Sequence, residues 1–448
     1  MNQAGLPLGL LLLIVVGFIT DYSIILLIKG GHLSGTRSYQ DLVHTTFGFP
    51  GYLILSVLQF LYPFIAMVSY NIITGDTLTK VFQRIPGVGP DHIFAKRHFI
   101  ILLTTVLFTF PLSLYRDISK LGKVMSRVLT YFSIRYISLV IRPILPPTEN
   151  AWSFAHWNAI QAVGVMSFAF ICHHNSFLIY GSLEEPTLSN WSRVTHISVS
   201  SAMLVSLLFA AAGYATFTGY TQGDIFENYC RNDDLATFGR FCYGISIITT
   251  FPLECFVTRE WACPQVTDKS DTAILSVAAD VMDADWSMPL AMLMSAGASG
   301  DDLIGPSVVS SVFFKSTLSS VTHVAVTILI IVVVTAISLT YDCLGAVLEL
   351  NGALSAVPLI FIIPSACHLK LSSQRWYQGE NLVSFIILLL GMFVVAIGVT
   401  MTSLYPQDCS HGAEMFYCPS SNLSVTLTTP STGLPQLQNL SQNALQFT

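Results

Sequence analysis

Long apolar runs separated by short polar connections set the pattern of this chain. A run of about 20 apolar residues crosses a bilayer core as a helix. Every backbone amide must be satisfied internally there, so such runs read as helices. Ten spans follow: Leu6–Ile28, Gly51–Ile73, Phe99–Tyr115, Val124–Ile144, Ala159–Leu183, Val194–Thr218, Leu235–Val257, Leu318–Tyr341, Gly345–His368 and Leu382–Tyr405. The fourth is poor, because Arg127, Arg135 and Arg142 recur at spacings of eight and seven on roughly one helical face. Arg135 near mid-membrane would cost about 3 kcal/mol on insertion scales. Two readings stay open, a cationic stripe along a water-filled path and a segment of non-native origin. The pattern predicts an all-α polytopic membrane protein, with residues 1–405 as the membrane domain.

Composition strengthens that reading. Charged residues make up 10% and hydrophobic residues 52% of the chain, whereas soluble domains carry roughly 25% charge. The formal net charge of −6 decides little, and no basic run points to a nucleic-acid partner. None of the nine cysteines forms a CxxC pair, so a zinc or redox centre is not expected. Met1–Gly5 lacks the basic start of a cleaved leader. Nothing reads as a catalytic constellation, and an enzyme is not expected.

Loop charge gives an orientation, since cytosolic loops carry excess Lys and Arg. Alternate loops hold Lys29, Arg37, Arg116, Lys120, Lys123, Arg127, Arg193, Arg259, Lys269, Lys315, Lys370 and Arg375 on one side. Lys80, Arg84, Lys96, Arg97, Arg142 and Arg231 fall on the other. The first set is expected in the cytosol, which puts both termini outside. Residues 406–448 then form a polar extracellular tail. Its sequons at Asn422 and Asn439 are glycan acceptors there, and Cys409 and Cys418 are candidates for a disulfide. The alternative is an unmodified disordered tail. A third sequon, at Asn190, falls in a cytosolic loop and should stay bare. Residues 261–309, rich in Asp, read as an inserted cytosolic loop whose Met288–Met294 run is too short to span.

Polar groups inside spans are costly and are functional candidates by default. The densest is Cys172-His173-His174-Asn175-Ser176, in the middle of the fifth span. Adjacent residues on a continuous helix point about 100° apart. Both imidazoles can face one pocket only if the helix unwinds, as transporter helices do at the midplane. Packing of two hydrogen-bonded histidines is the plainer reading, and a metal site lacks a third ligand. Thr249-Thr250-Phe251-Pro252 comes second, because proline frees a carbonyl one turn back and hydroxyls can replace water around Na⁺. Thr bonding back to its own helix is the alternative. Asp21 and Arg240 are lone charges that could pair, or one could handle protons. For Arg240 a water-exposed place near a helix end is the plainer reading.

At these motifs the chain resembles the sodium-coupled neutral amino acid transporters, solute carrier family 38. The resemblance rests on Val165–Phe177, on Ser69–Asp76, on Arg116–Lys123 and on Leu348-Glu349-Leu350-Asn351-Gly352. It implies a leucine-transporter-like fold of eleven helices in two inverted repeats, with helices one and six broken around the substrate. The broken stretch maps to Ile171, Cys172, His173, His174 and Asn175. Helix three supplies Tyr70 and Asn71 to the same pocket. The sodium site, built from helix-one carbonyls and a hydroxyl of a Thr-x-Pro motif, maps to Thr250.

The resemblance also implies that the sequence starts at the family's second helix, as in a truncated or spliced form. Residues after Lys123 and residues 261–309 depart from the family pattern. The expected function is Na⁺-coupled symport of neutral amino acids by alternating access, at the plasma membrane rather than the lysosome. Two rivals are a form that no longer transports, acting as an inert or partner-binding membrane protein, and coupling to protons through His173, His174 or Asp21. On the truncated reading the chain would show no Na⁺-dependent uptake.

Overall fold

The computed structural model describes residues 1–89, 91–114, 148, 152–156, 158–183, 185–262, 320–405 and 414–418. The fourth span with its three arginines, nearly all of residues 261–309, Cys409, Asn422 and Asn439 lie outside these residues. The other nine spans fall on helices. These are α1 (Leu6–Ser34), α2 (Tyr39–Phe82), α3 (Arg97–Thr104), α4 (Phe110–Ser113), α5 (Ala159–Phe170) and α6 (Ser176–Ser182). They continue as α7 (Leu188–Phe217), α8 (Asp234–Ala262), α9 (Ser320–Thr340), α10 (Leu344–Asn351), α11 (Ile363–Leu371) and α12 (Gly379–Leu404). A π turn, Thr105–Thr109, joins α3 to α4, and two π turns join α10 to α11 into one span. Among the described residues seven helices are long and apolar enough to cross a membrane, and Arg97–Ser113 is a shorter apolar one.

Burial shows what surrounds these helices. Helix α12 buries Asn381, Ser384, Ile387, Gly391, Val394, Gly398 and Thr402, a helical stripe with mostly small or polar members. Its large apolar residues Leu382, Ile386, Leu389 and Phe393 point outward. Helix α1 mixes the two, burying Gly9, Gly17, Thr20, Ser23, Gly30 and Gly31 together with Leu13, Val16, Ile24 and Leu27, while Leu11, Val15 and Phe18 are exposed. In water this arrangement would leave apolar surface uncovered. Against lipid tails it is the expected one, because small residues let helix backbones approach and large ones meet the acyl chains.

Helix α2 organises the interior. It packs on α8, α9, α10 and α3, and it runs through both main apolar clusters. One cluster joins α1, α2, α5, the ninth span and α12. The other joins α2, α8, α9 and α10. The second span, read from the sequence as starting at Gly51, starts at Tyr39. Gly48 (φ 71°, ψ −163°) kinks the helix, a backbone setting that glycine alone enters cheaply, and Pro50 follows two residues later.

The transmembrane unit ends at Met415. Of the second unit, residues 416–418 are described, and the rings of Phe416 and Tyr417 meet edge-on at 5.2 Å.

Candidate functional site

The fifth span is not one helix. Helix α5 ends at Phe170, Ile171 is extended (φ −69°, ψ 123°), and Cys172 leaves helical geometry (φ −143°, ψ 9°). A short 3₁₀ turn, His173–Asn175, leads into α6. The irregular backbone expected between Ile171 and Ser176 is therefore present. A break of this kind strips partners from the last carbonyls of α5 and the first amides of α6. Within the break, the Cys172 carbonyl accepts from Asn175 N at 3.2 Å and from Ser176 Oγ at 3.2 Å.

The two histidines part company. His173 is fully buried, and its Nε2 lies 2.7 Å from Ser23 Oγ of α1. That bond anchors one side of the break to α1. The Nδ1 atoms of both His173 and His174 are shut off from solvent without a protein partner. His174 turns toward α2, where its ring lies 5.7 Å from that of Tyr62. Tyr62 also meets Phe168 of α5 at 5.5 Å, and its carbonyl accepts from Asn351 Nδ2 at 3.1 Å. Tyr62 thus ties α2, the break and the Leu348–Gly352 motif together.

The other candidates lie on α2 and α8. Tyr70 stands two turns beyond Tyr62, and both phenols sit within electrostatic reach of Glu254 on α8. Asn71 is buried and turns to α9, donating to Thr335 Oγ1 at 3.5 Å. The Thr250 hydroxyl donates to the Ser246 carbonyl at 2.9 Å, and Thr249 does likewise to Ile245 and Ser246. Both threonines hold the back-bonded state that was the alternative reading of this motif.

The lone charges find partners other than each other. Asp21 Oδ2 lies 2.6 Å from His196 Nδ1 on α7, and His196 Nε2 lies 2.9 Å from Ser192 Oγ. Arg240 is not at a wet helix end but fully buried. It donates to the carbonyls of Phe226 at 2.7 Å and Tyr229 at 2.5 Å, holding the 3₁₀ turn Ile225–Asn228 onto α8. That turn is also pinned to α2 by the Lys80–Glu227 ion pair at 3.0 Å.

Sequence reasoning passed over Tyr62, Ser23 and Glu254. Only Glu254 carried a visible signal, a single carboxylate two residues after Pro252 in an apolar run. It also passed over two disulfide cysteines. Cys230, Cys343 and Cys418 are disulfide-bonded, whereas Cys172, Cys242, Cys255 and Cys367 are buried and form no disulfide. The partner expected for Cys418, Cys409, lies outside the described residues.

Glu349, in the middle of the Leu348–Gly352 motif, is buried. It accepts from the Gln3 side chain and, at 3.5 Å, from Thr402 Oγ1. Its neighbour Gly352 touches α5 backbone to backbone. A Cβ there would fall 1.9 Å from the Gly164 carbonyl oxygen.

Comparison with known proteins agrees with this arrangement. Residues 1–404 match the family model "Transmembrane amino acid transporter protein". The chain is 61% identical over 451 residues to the Danio rerio protein named "Putative sodium-coupled neutral amino acid transporter 11", covering 99% of this chain and 89% of that relative. It is 55% identical to the Homo sapiens protein of the same name, covering 96% of each. It is 28% identical to the vacuolar amino acid transporter 2 of Saccharomyces cerevisiae, over 93% of this chain and 80% of that relative. A broken helix inside a bundle whose outer surface suits lipid, and a family match across almost the whole membrane domain, lead to one conclusion: the chain belongs to the transmembrane amino acid transporter family.

Proposed function

We propose that the protein is a secondary active transporter that carries neutral amino acids together with Na⁺ by alternating access, in a leucine-transporter-like fold at the plasma membrane. The observation that carries this reading is the break at Ile171–Asn175. The amides at the start of α6 beyond Ser176 suit a substrate carboxylate. The α5 carbonyls suit an ammonium group or a cation, as in other transporters with discontinuous helices. His174, Tyr62 and Phe168 supply one wall of the pocket, and Tyr70 continues it along α2. Thr250 serves Na⁺ through the lone pairs of its hydroxyl oxygen, while its hydrogen goes to the Ser246 carbonyl. The relatives' name, sodium-coupled, supports Na⁺ as the co-transported ion, while the yeast relative is named for the vacuole.

Uptake of labelled neutral amino acids into reconstituted vesicles tests this, with Na⁺ against choline outside and with an imposed pH gradient as a separate arm. Na⁺-driven accumulation is expected. Thr250→Ala should weaken the Na⁺ dependence more than the choice of amino acid. Uptake driven by the pH gradient alone would replace Na⁺ with protons. Uptake that ignores both gradients would sink the symport reading.

The bonded cysteines support the orientation drawn from loop charge. Cys230, Cys343 and Cys418 all fall in segments assigned to the non-cytosolic side, where disulfides persist. Glycans are then expected on Asn422 and Asn439 and not on Asn190. A glycosidase-sensitive mobility shift that survives loss of both tail sequons and vanishes with Asn190→Gln would invert the topology.

A further inference from the structure

We propose that Glu254 is a ligand of the co-transported Na⁺, binding it together with Thr250; this rests on the symport reading above. The two residues are four apart on α8, so their side chains stack on one helical face about 6 Å apart along the axis. That face is turned inward. Glu254 is half-buried and within electrostatic reach of Tyr62 and Tyr70 of α2. Tyr62 in turn lies against His174 in the break. The carboxylate therefore stands on the α2-facing side of α8 and not on the lipid side.

Among the described residues no basic side chain pairs with Glu254. The cations nearest along the bundle are committed elsewhere. Arg259 donates to the Ser113 carbonyl and to Thr327 Oγ1. Arg97 is paired with Asp76, and Lys80 with Glu227. An ionised carboxylate at this depth is costly until something positive joins it.

Charge balance identifies what that is. A neutral amino acid arrives as a zwitterion and adds no net charge, so it cannot offset Glu254. A Na⁺ can, and carboxylate and hydroxyl oxygens are the hard ligands such an ion takes. With Na⁺ on Glu254 the site is neutral, and without the ion the carboxylate is uncompensated. A zwitterion entering after Na⁺ then meets no bare carboxylate, so the ion favours amino-acid binding, and linkage makes that preference reciprocal.

The test compares wild type, Glu254→Gln and Glu254→Asp as full chains in reconstituted vesicles, matched for folded protein by size-exclusion profile. The readout is uptake of labelled neutral amino acid against outside Na⁺ concentration, with choline making up the balance. Glu254→Gln is expected to raise the half-activating Na⁺ concentration roughly tenfold, within the usual range of coupling between two ligands. The apparent KM for amino acid at saturating Na⁺ should move far less. Glu254→Asp, which keeps the charge and fails only in reach, should fall between. A Na⁺ activation curve unchanged in both variants would overturn the proposal while leaving symport intact. So would uptake that runs on a pH gradient without Na⁺ and is lost in Glu254→Gln, since the carboxylate would then carry a proton. Wild-type protein that moves no amino acid under any gradient would instead remove the symport reading, and this proposal with it.

Discussion

Replacing Gly352 with alanine is expected to cost the protein its folded membrane form. The new Cβ would sit 1.9 Å from the Gly164 carbonyl oxygen, 2.3 Å from its carbon and 2.9 Å from its Cα. Those atoms are backbone, so no rotamer change clears them. The contact is close in both directions, since a Cβ on Gly164 would lie 3.0 Å from the Glu349 carbonyl oxygen and 3.2 Å from Ala353 N. To admit one methyl group, α5 must move away from the ninth span. Overpacking a well-filled interior usually costs about 1–3 kcal/mol, and more when backbone has to shift. Here the shift also displaces the half-helix that ends at the break, so any protein that still folds should lose uptake. The control is Gly181→Ala on α6, where an added Cβ meets nothing within 4 Å and should be silent. Melting in detergent, monitored by size-exclusion, reads the first effect, and vesicle uptake reads the second. A Gly352→Ala protein with wild-type melting and uptake would mean that α5 and the ninth span do not approach this closely.

That contact shows where the sequence is legible and where it is not. A span announces itself because lipid demands an unbroken apolar run. The break in the fifth span announces itself because five consecutive polar or small residues cannot be hidden on one helix face. Both signals are local. Gly352 stands inside a recognisable motif, yet nothing near it in sequence says that its contact is Gly164. The same holds for Asp21, whose partner His196 is 175 residues away. Lone charges in spans stand out as unusual, but their partners depend on which helices become neighbours, and periodicity carries no such information. Arg240 is the sharpest case. Its position near a helix end suggested water, whereas a loop folds back over it and uses its guanidinium as the post on which three carbonyls hang. Glu254 was visible as a charge, but its relation to Tyr62 and Tyr70 appears only once α2 is laid against α8. The kink at Gly48 escaped because a glycine followed by Phe49 and Pro50 reads equally well as the end of a loop.

Removing Lys80 is expected to release the loop between α7 and α8 that packs on the C-terminal end of α2 and the N-terminal end of α8, and to make its stability depend on pH. Lys80 and Glu227 are both nearly inaccessible, at 4% and 6% exposure, and meet at 3.0 Å. A surface pair would contribute little, but taking one partner from a buried pair leaves the other charge uncompensated, at a cost of about 3–5 kcal/mol. Lys80→Met should therefore melt well below wild type at neutral pH. The double variant with Glu227→Gln should recover much of that loss, because no stranded charge remains.

Asp224 adds the pH dependence. Its Oδ2 is shut off from solvent without a hydrogen-bond partner. Burial first, and then the nearby Glu227, push its carboxyl up to about 6, against the pull of the Phe226 amide, Lys80 and Arg240. Asp76 of α2 and Tyr243 of α8 also face this group. A carboxyl raised above its usual value near 3.8 takes up its proton more readily in the folded loop than in the unfolded chain. Its favourable contribution is thus complete below about pH 4 and is lost as pH rises through about 6. Without Lys80 the repulsion between Asp224 and Glu227 grows, so the deficit of Lys80→Met should be largest above pH 6 and shrink near pH 5. Asp224→Asn, which fixes the uncharged form, should stabilise the loop at pH 7.5 and flatten that dependence. Melting curves of the three proteins between pH 4.5 and 7.5 decide the matter. A Lys80→Met protein as stable as wild type at pH 7.5 would show that the ion pair does not hold the loop. A slope unaltered by Asp224→Asn would show that another group sets the pH dependence.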